Sequence, residues 1–213
     1  MCAWFLSKRD LPPSASSIAI TLALIIVPVL LIAKEPDLGT SLLVAASGIF
    51  VLFLAGLSWR LISAAVVLAV PFIAFAWNFL LHDYQRTRVL TLLNPEADVQ
   101  GAGWNIIQSK TAIGSGGLTG KGYLEGTQSH LHFLPEGHTD FIIAAFSEEF
   151  GLLGVMLLMF IYFCLLSRAL YIAFTHPDVY SRLLAGAIAM SFFVYIFVNV
   201  GMVGGILPVV GVP

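Results

Sequence analysis

Five stretches of this chain are apolar over lengths that cross the ~30 Å hydrocarbon core of a bilayer at ~1.5 Å per helical residue. Segment A runs from about Ser16 to Ala33, B from Thr40 to Leu57, C from Leu61 to Leu81, D from Phe141 to Phe174 and E from Leu183 to Val203. A, B, C and E contain no acid or base, and D contains none between Phe150 and Arg168. Hydrocarbon offers backbone N–H and C=O groups no partner, so such segments must be helices. The fold expected is therefore all-α, a polytopic transmembrane helix bundle with one large extracytoplasmic loop. Its three parts are residues 1–81 with three helices and short loops, the loop over 82–139, and residues 140–213 with two helices and the start of a kinked Gly/Pro segment.

Composition agrees with a membrane protein. The chain is 59% hydrophobic and 10% charged, against ~25% charged residues in soluble domains, and its mean hydropathy is +0.94. A net charge of -2 provides no basic field for nucleic acid. Cys2 and Cys164 stand too far apart in sequence to read as a disulfide framework or metal site, and Cys164, inside an apolar run, reads as a packing residue. Lys8, Arg9 and Asp10 follow Trp4, Phe5 and Leu6, the reverse of a signal peptide's basic-then-apolar order. The chain stops after Gly211-Val-Pro213 with no polar tail, and both ends read as cuts within a longer protein.

Charge sets the orientation. If A enters from the cytoplasm, Lys8, Arg9, Arg60, Arg168 and Arg182 all fall on that side, against Lys34 on the opposite short loop, as the positive-inside rule requires. The stretch from His82 to Thr139 is then extracytoplasmic. It is too long for a connector and too patterned for disorder. Asp83 to Leu93, ending at Asn94-Pro95, and Trp104 to Ile113, closed by Gly114-Ser-Gly-Gly117, are short helical candidates. Glycines recur at Gly120, Gly122 and Gly126. Such a run turns tightly and is able to form an anion-binding nest, although most glycine-rich loops are only turns.

The transition from loop to segment D carries four acids and a histidine between Phe133 and Gly151. Asp140 stands at the junction, where a carboxylate meets both water and lipid. On a straight helix, Ala144 and Ser147 lie within ~40° of Asp140, Glu148 is ~80° away and Glu149 is opposite, with the two glutamates about 12 and 13.5 Å deeper. A carboxylate at that depth needs a partner or a wet cavity, so at least one should line a polar groove. A plainer reading also fits: Thr139 or Asp140 caps segment D, and Thr40 or Asp37 caps B. His130, His132 and His138 cluster within nine residues, but their spacing matches no metal pattern and loop solvation is the better reading.

Several motifs go further. Lys34-Glu-Pro-Asp-Leu-Gly-Thr-Ser41, Gly114-Ser-Gly-Gly-Leu-Thr-Gly-Lys-Gly122, Gly126-Thr-Gln-Ser129, Phe133-Leu-Pro-Glu-Gly-His-Thr-Asp-Phe141, Glu148-Glu-Phe-Gly151 and the run from Gly201 to Pro213 closely resemble the SEDS family (shape, elongation, division and sporulation; FtsW, RodA and SpoVE), its RodA branch above all. The resemblance covers the whole chain in order. It implies about ten transmembrane helices, of which A, B and C look like the fifth to seventh, D like the eighth and E like the ninth. The first four helices and the Ser-Tyr-Gly-Gly region expected after the chain's end are missing, so the resemblance does not extend to stand-alone activity.

The resemblance implies a peptidoglycan glycosyltransferase of the bacterial inner membrane, its large loop on the periplasmic side, polymerising lipid II beside a class B penicillin-binding protein transpeptidase of the elongation machinery. The family's essential loop aspartate falls on Asp140, as general base toward the acceptor sugar hydroxyl. Charge developing on the leaving lipid diphosphate needs cations or N–H donors. Arg86, Arg88, Lys110, Lys121 and the backbone from Gly114 through Gly116 to Gly117 are the candidates by chemistry rather than by resemblance, and Glu148 and Asp37 complete the expected substrate-binding set. No resident cofactor is expected; a divalent cation beside the diphosphate is compatible with the site. Two rivals stand against this reading. A lipid II flippase needs polar groups at mid-depth, where A, B, C and E offer little beyond Asn78 and Asn199 and where Glu148 and Glu149 would repel a diphosphate. A non-enzymatic scaffold for the transpeptidase would tolerate loss of Asp140.

Overall fold

The computed structural model describes residues 1–35, 37–79, 81, 83–94, 102–130, 137 and 139–209, with the backbone alone for Tyr84, Ala102, Ser129 and His130. Pro36, Pro95, residues 133–136, His132, His138, the side chain of His130 and residues 210–213 lie outside the described residues. Among the described residues all regular structure is helical: α1 (Cys2–Ser7), α2 (Ala15–Ala33), α3 (Leu38–Leu54), α4 (Trp59–Phe79), α5 (Asp83–Leu93), α6 (Ala102–Gly116), α7 (Thr127–His130), α8 (Ile142–Thr175) and α9 (Val179–Val203). α2, α4, α8 and α9 are long and apolar enough to cross a membrane. α3 is apolar too, but its 17 residues reach only about 25 Å, short of the full crossing expected of segment B. The protein is an integral membrane protein.

Local chemistry accounts for the helix ends. Ser14 Oγ accepts from the Ser17 N–H at the start of α2, and Asp37 Oδ1 accepts from the Thr40 N–H at 3.0 Å at the start of α3. α3 stops in a Schellman turn: Gly56 takes φ 93, and the Leu57 N–H reaches back to the Leu52 carbonyl at 3.3 Å. Asp178 Oδ2 accepts from Ser181 N–H and Oγ at 2.8 and 2.7 Å at the start of α9. The Ser181 hydroxyl first, then its N–H, hold that carboxyl below the ordinary aspartate value. Inside the apolar helices Thr21, Ser41 and Ser47 return their hydroxyls to carbonyls of the preceding turn, which satisfies them where no water competes.

The described chain packs as two units. Residues 1–81 with 165–194 form one, and residues 82–164 with 195–213 the other. The core of the first gathers Ala3, Leu6, Ile25, Val51, Leu52, Ala55, Leu183 and Ala187. Small residues let its helices touch: a Cβ on Gly48 would run into Ile25, and one on Gly186 would come within 2.6 Å of Leu54. α4 buries none of its residues within the described chain, so its own backbone hydrogen bonds, uncontested in hydrocarbon, hold it. In the second unit Ile106, Ala112, Phe141, Ala144, Val203 and Val209 form the core.

Two sequence expectations need correction here. Segment D does not run straight: Gly151 has φ 63 and ψ -165 inside α8, so residues 142–150 form a short helix ahead of the long one, and the depths reckoned for Glu148 and Glu149 do not apply. α6 does not close at Gly114 but runs through it to Gly116, with the left-handed turn at Gly117, φ 55. For Asp37→Ala we expect a loss of about 1 kcal/mol of stability from the uncapped N–H, read as a lowered melting temperature of the full-length protein, with Asp37→Ser close to wild type.

Candidate functional site

A helix interrupted in apolar surroundings leaves carbonyls without partners before the break and N–H groups without partners after it. At Gly151 the glycine-rich turn after α6 supplies both. Lys121 and Gly122 donate their N–H groups to the carbonyls of Glu148 and Glu149 at 3.0 and 3.1 Å, while Leu152 and Leu153 donate to the carbonyls of Gly117 and Leu118 at 2.9 and 3.0 Å. The approach tolerates only glycine. A Cβ on Gly120, at φ 80, would collide with the Glu149 carbonyl, and one on Gly151 would collide with the Gly120 nitrogen. Gly120→Ala should therefore destabilise the full-length protein by more than the about 1–2 kcal/mol of the left-handed backbone alone, whereas Gly117→Ala, with open space around it, bears only that backbone cost.

The same junction holds a buried charge. Glu148 is 0% exposed. Its carboxylate accepts from Lys121 Nζ at 2.7 Å, Thr127 Oγ1 at 3.2 Å, Ser115 Oγ at 3.5 Å and the Gln128 N–H at 3.0 Å. Lys121 Nζ also donates to Thr127 Oγ1 at 2.8 Å. A carboxylate with this many donors is the condition under which a buried ion pair holds. It joins the end of α6, the turn at 117–122, the start of α7 and residues 142–150 into one block.

This block changes the meaning of several expected ligands. Lys121 and Glu148 are brought together, but they spend their charges on each other. Gly114 and Gly116 sit inside α6, where their N–H groups belong to the helix, and Gly116 is required because a Cβ there would meet the Ser147 carbonyl. Asp37, in the other unit, caps α3. Arg86 and Arg88 lie on α5, Arg86 3.8 Å from Asp83 and half-buried. Lys110 is exposed on α6. Its ammonium lies over Gly205, just beyond the end of α9, where the helix dipole favours a cation.

Asp140 is half-buried and lies two residues ahead of the short helix. Phe141 beside it is 0% exposed, and its carbonyl accepts from the Ala144 and Ala145 N–H groups at 2.9 and 3.2 Å; Phe141 thus stands at the first cap position and Asp140 just ahead of it. Asn199 Nδ2 on α9 donates to the Asp140 carbonyl at 3.2 Å, and Ser109 Oγ on α6 reaches the Val203 carbonyl at 3.0 Å. The backbone of Asp140 is thereby tied to α9 on one side and, through Phe141, to an apolar core on the other. Among the described residues no three acids, histidines or cysteines gather as a metal-holding group.

Sequence reasoning missed Gly151, Thr127 and Gln128. Gly151 lies inside a run that reads as one helix, and nothing local to it announces the Gly120 backbone pressed against it. Thr127 and Gln128 were seen only as parts of a motif, because their partner is 20 and more residues away.

The fold and the sequence both have known relatives. A family model described as cell cycle protein, of the FtsW, RodA and SpoVE type, matches residues 1–213. The chain is similar to peptidoglycan glycosyltransferase MrdB of Escherichia coli (strain K12), 59% identical over 213 residues that are 100% of this chain and 58% of that protein. It is similar to peptidoglycan glycosyltransferase RodA of Treponema pallidum (strain Nichols), 45% identical over 62% of this chain and 31% of that one. A chain solved in work on the structural coordination of polymerization and crosslinking by a peptidoglycan synthase complex matches with TM-score 0.79 and 29% identity, over 99% of this chain and 58% of that chain. The chain thus spans 58% of the length of the Escherichia coli relative.

Proposed function

The chain belongs to the FtsW/RodA/SpoVE family, and from that membership we propose that the full-length protein is a peptidoglycan glycosyltransferase, polymerising lipid II into glycan strands during elongation and rod-shape maintenance. The observation that carries this reading is Asp140, a half-buried carboxylate whose backbone is tied to α9 by Asn199. It accepts the proton of the acceptor sugar 4-hydroxyl as that oxygen bonds to the anomeric carbon of the donor. The bond from that carbon to the lipid diphosphate breaks, and the diphosphate leaves with the electron pair. A single in-line displacement converts the α-linked donor into a β-linked product, so one carboxylate suffices and no covalent intermediate is needed.

Arg86, Arg88 and Lys110 are the cations this reading assigns to the diphosphate, since Lys121 is engaged with Glu148. The protein sits in the bacterial inner membrane with residues 82–139 on the periplasmic side and works with a class B penicillin-binding protein. No step requires a resident metal; a divalent cation accompanying the diphosphate would add to the work of the cations. The test uses purified full-length protein with its transpeptidase partner and lipid II. Glycan polymer in the tube supports the proposal; lipid II crossing liposomes without polymer contradicts it.

A further inference from the structure

The first unit has one end that is unlike the other. α1, the start of α2, the end of α3 and the first turns of α9 meet there around Leu6, Ala55, Leu183 and Ala187, and the last turns of α8 join them through Leu170, Ala173 and Phe174. Lys8 and Arg9 follow α1, Arg60 and Arg182 lie in the first turns of α4 and α9, and Arg168 lies near the end of α8, and Asp10 and Asp178 form no ion pair with them among the described residues. Trp4, Trp59 and Tyr171 are exposed there by 55, 76 and 59%. Lys8 lies 4.2 Å over the Trp4 ring, and Arg168 lies 5.5 Å from that of Tyr171. Exposed tryptophan and tyrosine beneath cations are the composition of a membrane–water boundary.

At this boundary a cavity of about 110 Å³ opens among seven apolar side chains, including Leu54, Leu170, Phe174 and Leu183, and the single cation Arg182. The volume is well below the roughly 300–1,000 Å³ of a drug-sized site, and it suits the first methylenes of one chain. Arg182 is already held in place. Its Nε donates to the Ala173 carbonyl at 3.3 Å, one of the carbonyls left over in the last turn of α8. No acceptor for its Nη groups stands among the described residues, and Asp178, the nearest acid in sequence, has Oδ2 engaged by Ser181. A tethered guanidinium presenting its remaining N–H donors beside an apolar groove matches a phosphate ester of an acyl lipid.

We infer that this end carries an anionic-phospholipid site, in which Arg182 binds the headgroup phosphate and the groove of Leu54, Leu170, Phe174 and Leu183 takes the beginning of an acyl chain. The flanking Lys8, Arg9 and Arg168 select a lipid with net negative charge, and by the orientation proposed above the lipid comes from the cytoplasmic leaflet. A free phosphate shares the headgroup chemistry but leaves the groove empty.

The experiment is native mass spectrometry of the full-length protein titrated with phosphatidylglycerol, phosphatidylcholine or inorganic phosphate. Wild type should retain phosphatidylglycerol at least about tenfold better than phosphatidylcholine, Arg182→Gln should lose about tenfold of that affinity, and Arg182→Lys should fall between. Inorganic phosphate at the same concentration should not displace the lipid. Leu170→Trp, which fills the groove and leaves every charge in place, should lose the lipid equally, so the inference does not depend on the folding of one variant. Equal retention of the two lipids, lipid binding by Arg182→Gln and Leu170→Trp that matches wild type, or displacement of the lipid by phosphate alone would each overturn it.

Discussion

Lys121→Met in the full-length protein should cost about 3–5 kcal/mol of stability, the usual consequence of removing one partner of a buried pair. The reason lies with Glu148, which is 0% exposed and loses the ammonium 2.7 Å away while remaining surrounded by protein. Thr127 and the Gln128 N–H still donate, but a carboxylate without its cation must either stay charged in a poor medium or take up a proton. Glu148→Gln should cost less, about 1–3 kcal/mol. The amide keeps an acceptor for the Gln128 N–H, and Lys121, whose side chain is 28% exposed, turns outward to water. The double variant should be less damaged than the two losses added together, a coupling on the order of 1 kcal/mol or more. Thermal unfolding in one detergent reads all three. A Lys121→Met protein melting at the wild-type temperature would remove the block at 142–150 from this account. Polymerisation should fall with stability, since Asp140 lies two residues ahead of the same short helix.

Asp140→Asn is expected to leave stability nearly untouched and to reduce polymerisation by on the order of 10²–10⁴, the contribution of a positioned general base. The amide has nearly the same shape, and the Asn199 bond uses the Asp140 carbonyl, which the substitution keeps. The ability to accept a proton is lost. Asp140→Ala removes that ability equally, so the two variants should be comparably inactive. A purely structural role would instead spare the near-isosteric amide and damage the alanine.

The apolar runs made the helices legible, because a charge-free stretch of such length has no alternative in hydrocarbon. α2, α4, α8 and α9 begin and end within a few residues of the expected segments. Their ends also obeyed local chemistry: Asp37, offered in the sequence as a cap for the next helix, caps α3. The glycines were harder to read. Gly114 looked like a stop, yet a glycine inside a helix costs only ~1 kcal/mol, and the left-handed turn came at Gly117 instead.

The sequence names candidate residues for the site but not the connections between them. That at least one of Glu148 and Glu149 would need a polar partner followed from their apolar surroundings, and Glu148 has one. That the partner would be Lys121, 27 residues earlier, followed from nothing in the local pattern. The charge of Lys121 suggests a diphosphate partner as readily as a carboxylate, and a charge does not reveal its neighbour. The break at Gly151 was hidden for the same reason, since helical periodicity is a local signal and the cause of the break is the distant backbone of Gly120.

The most direct test of the central claim is gel-resolved glycan polymerisation from purified lipid II, with the full-length protein and its penicillin-binding partner, wild type beside Asp140→Asn at matched complex yield. The account predicts a ladder of glycan strands from the wild type and none from the variant. A ladder of wild-type intensity from Asp140→Asn would contradict the general-base role and leave Asp140 a structural residue of the loop.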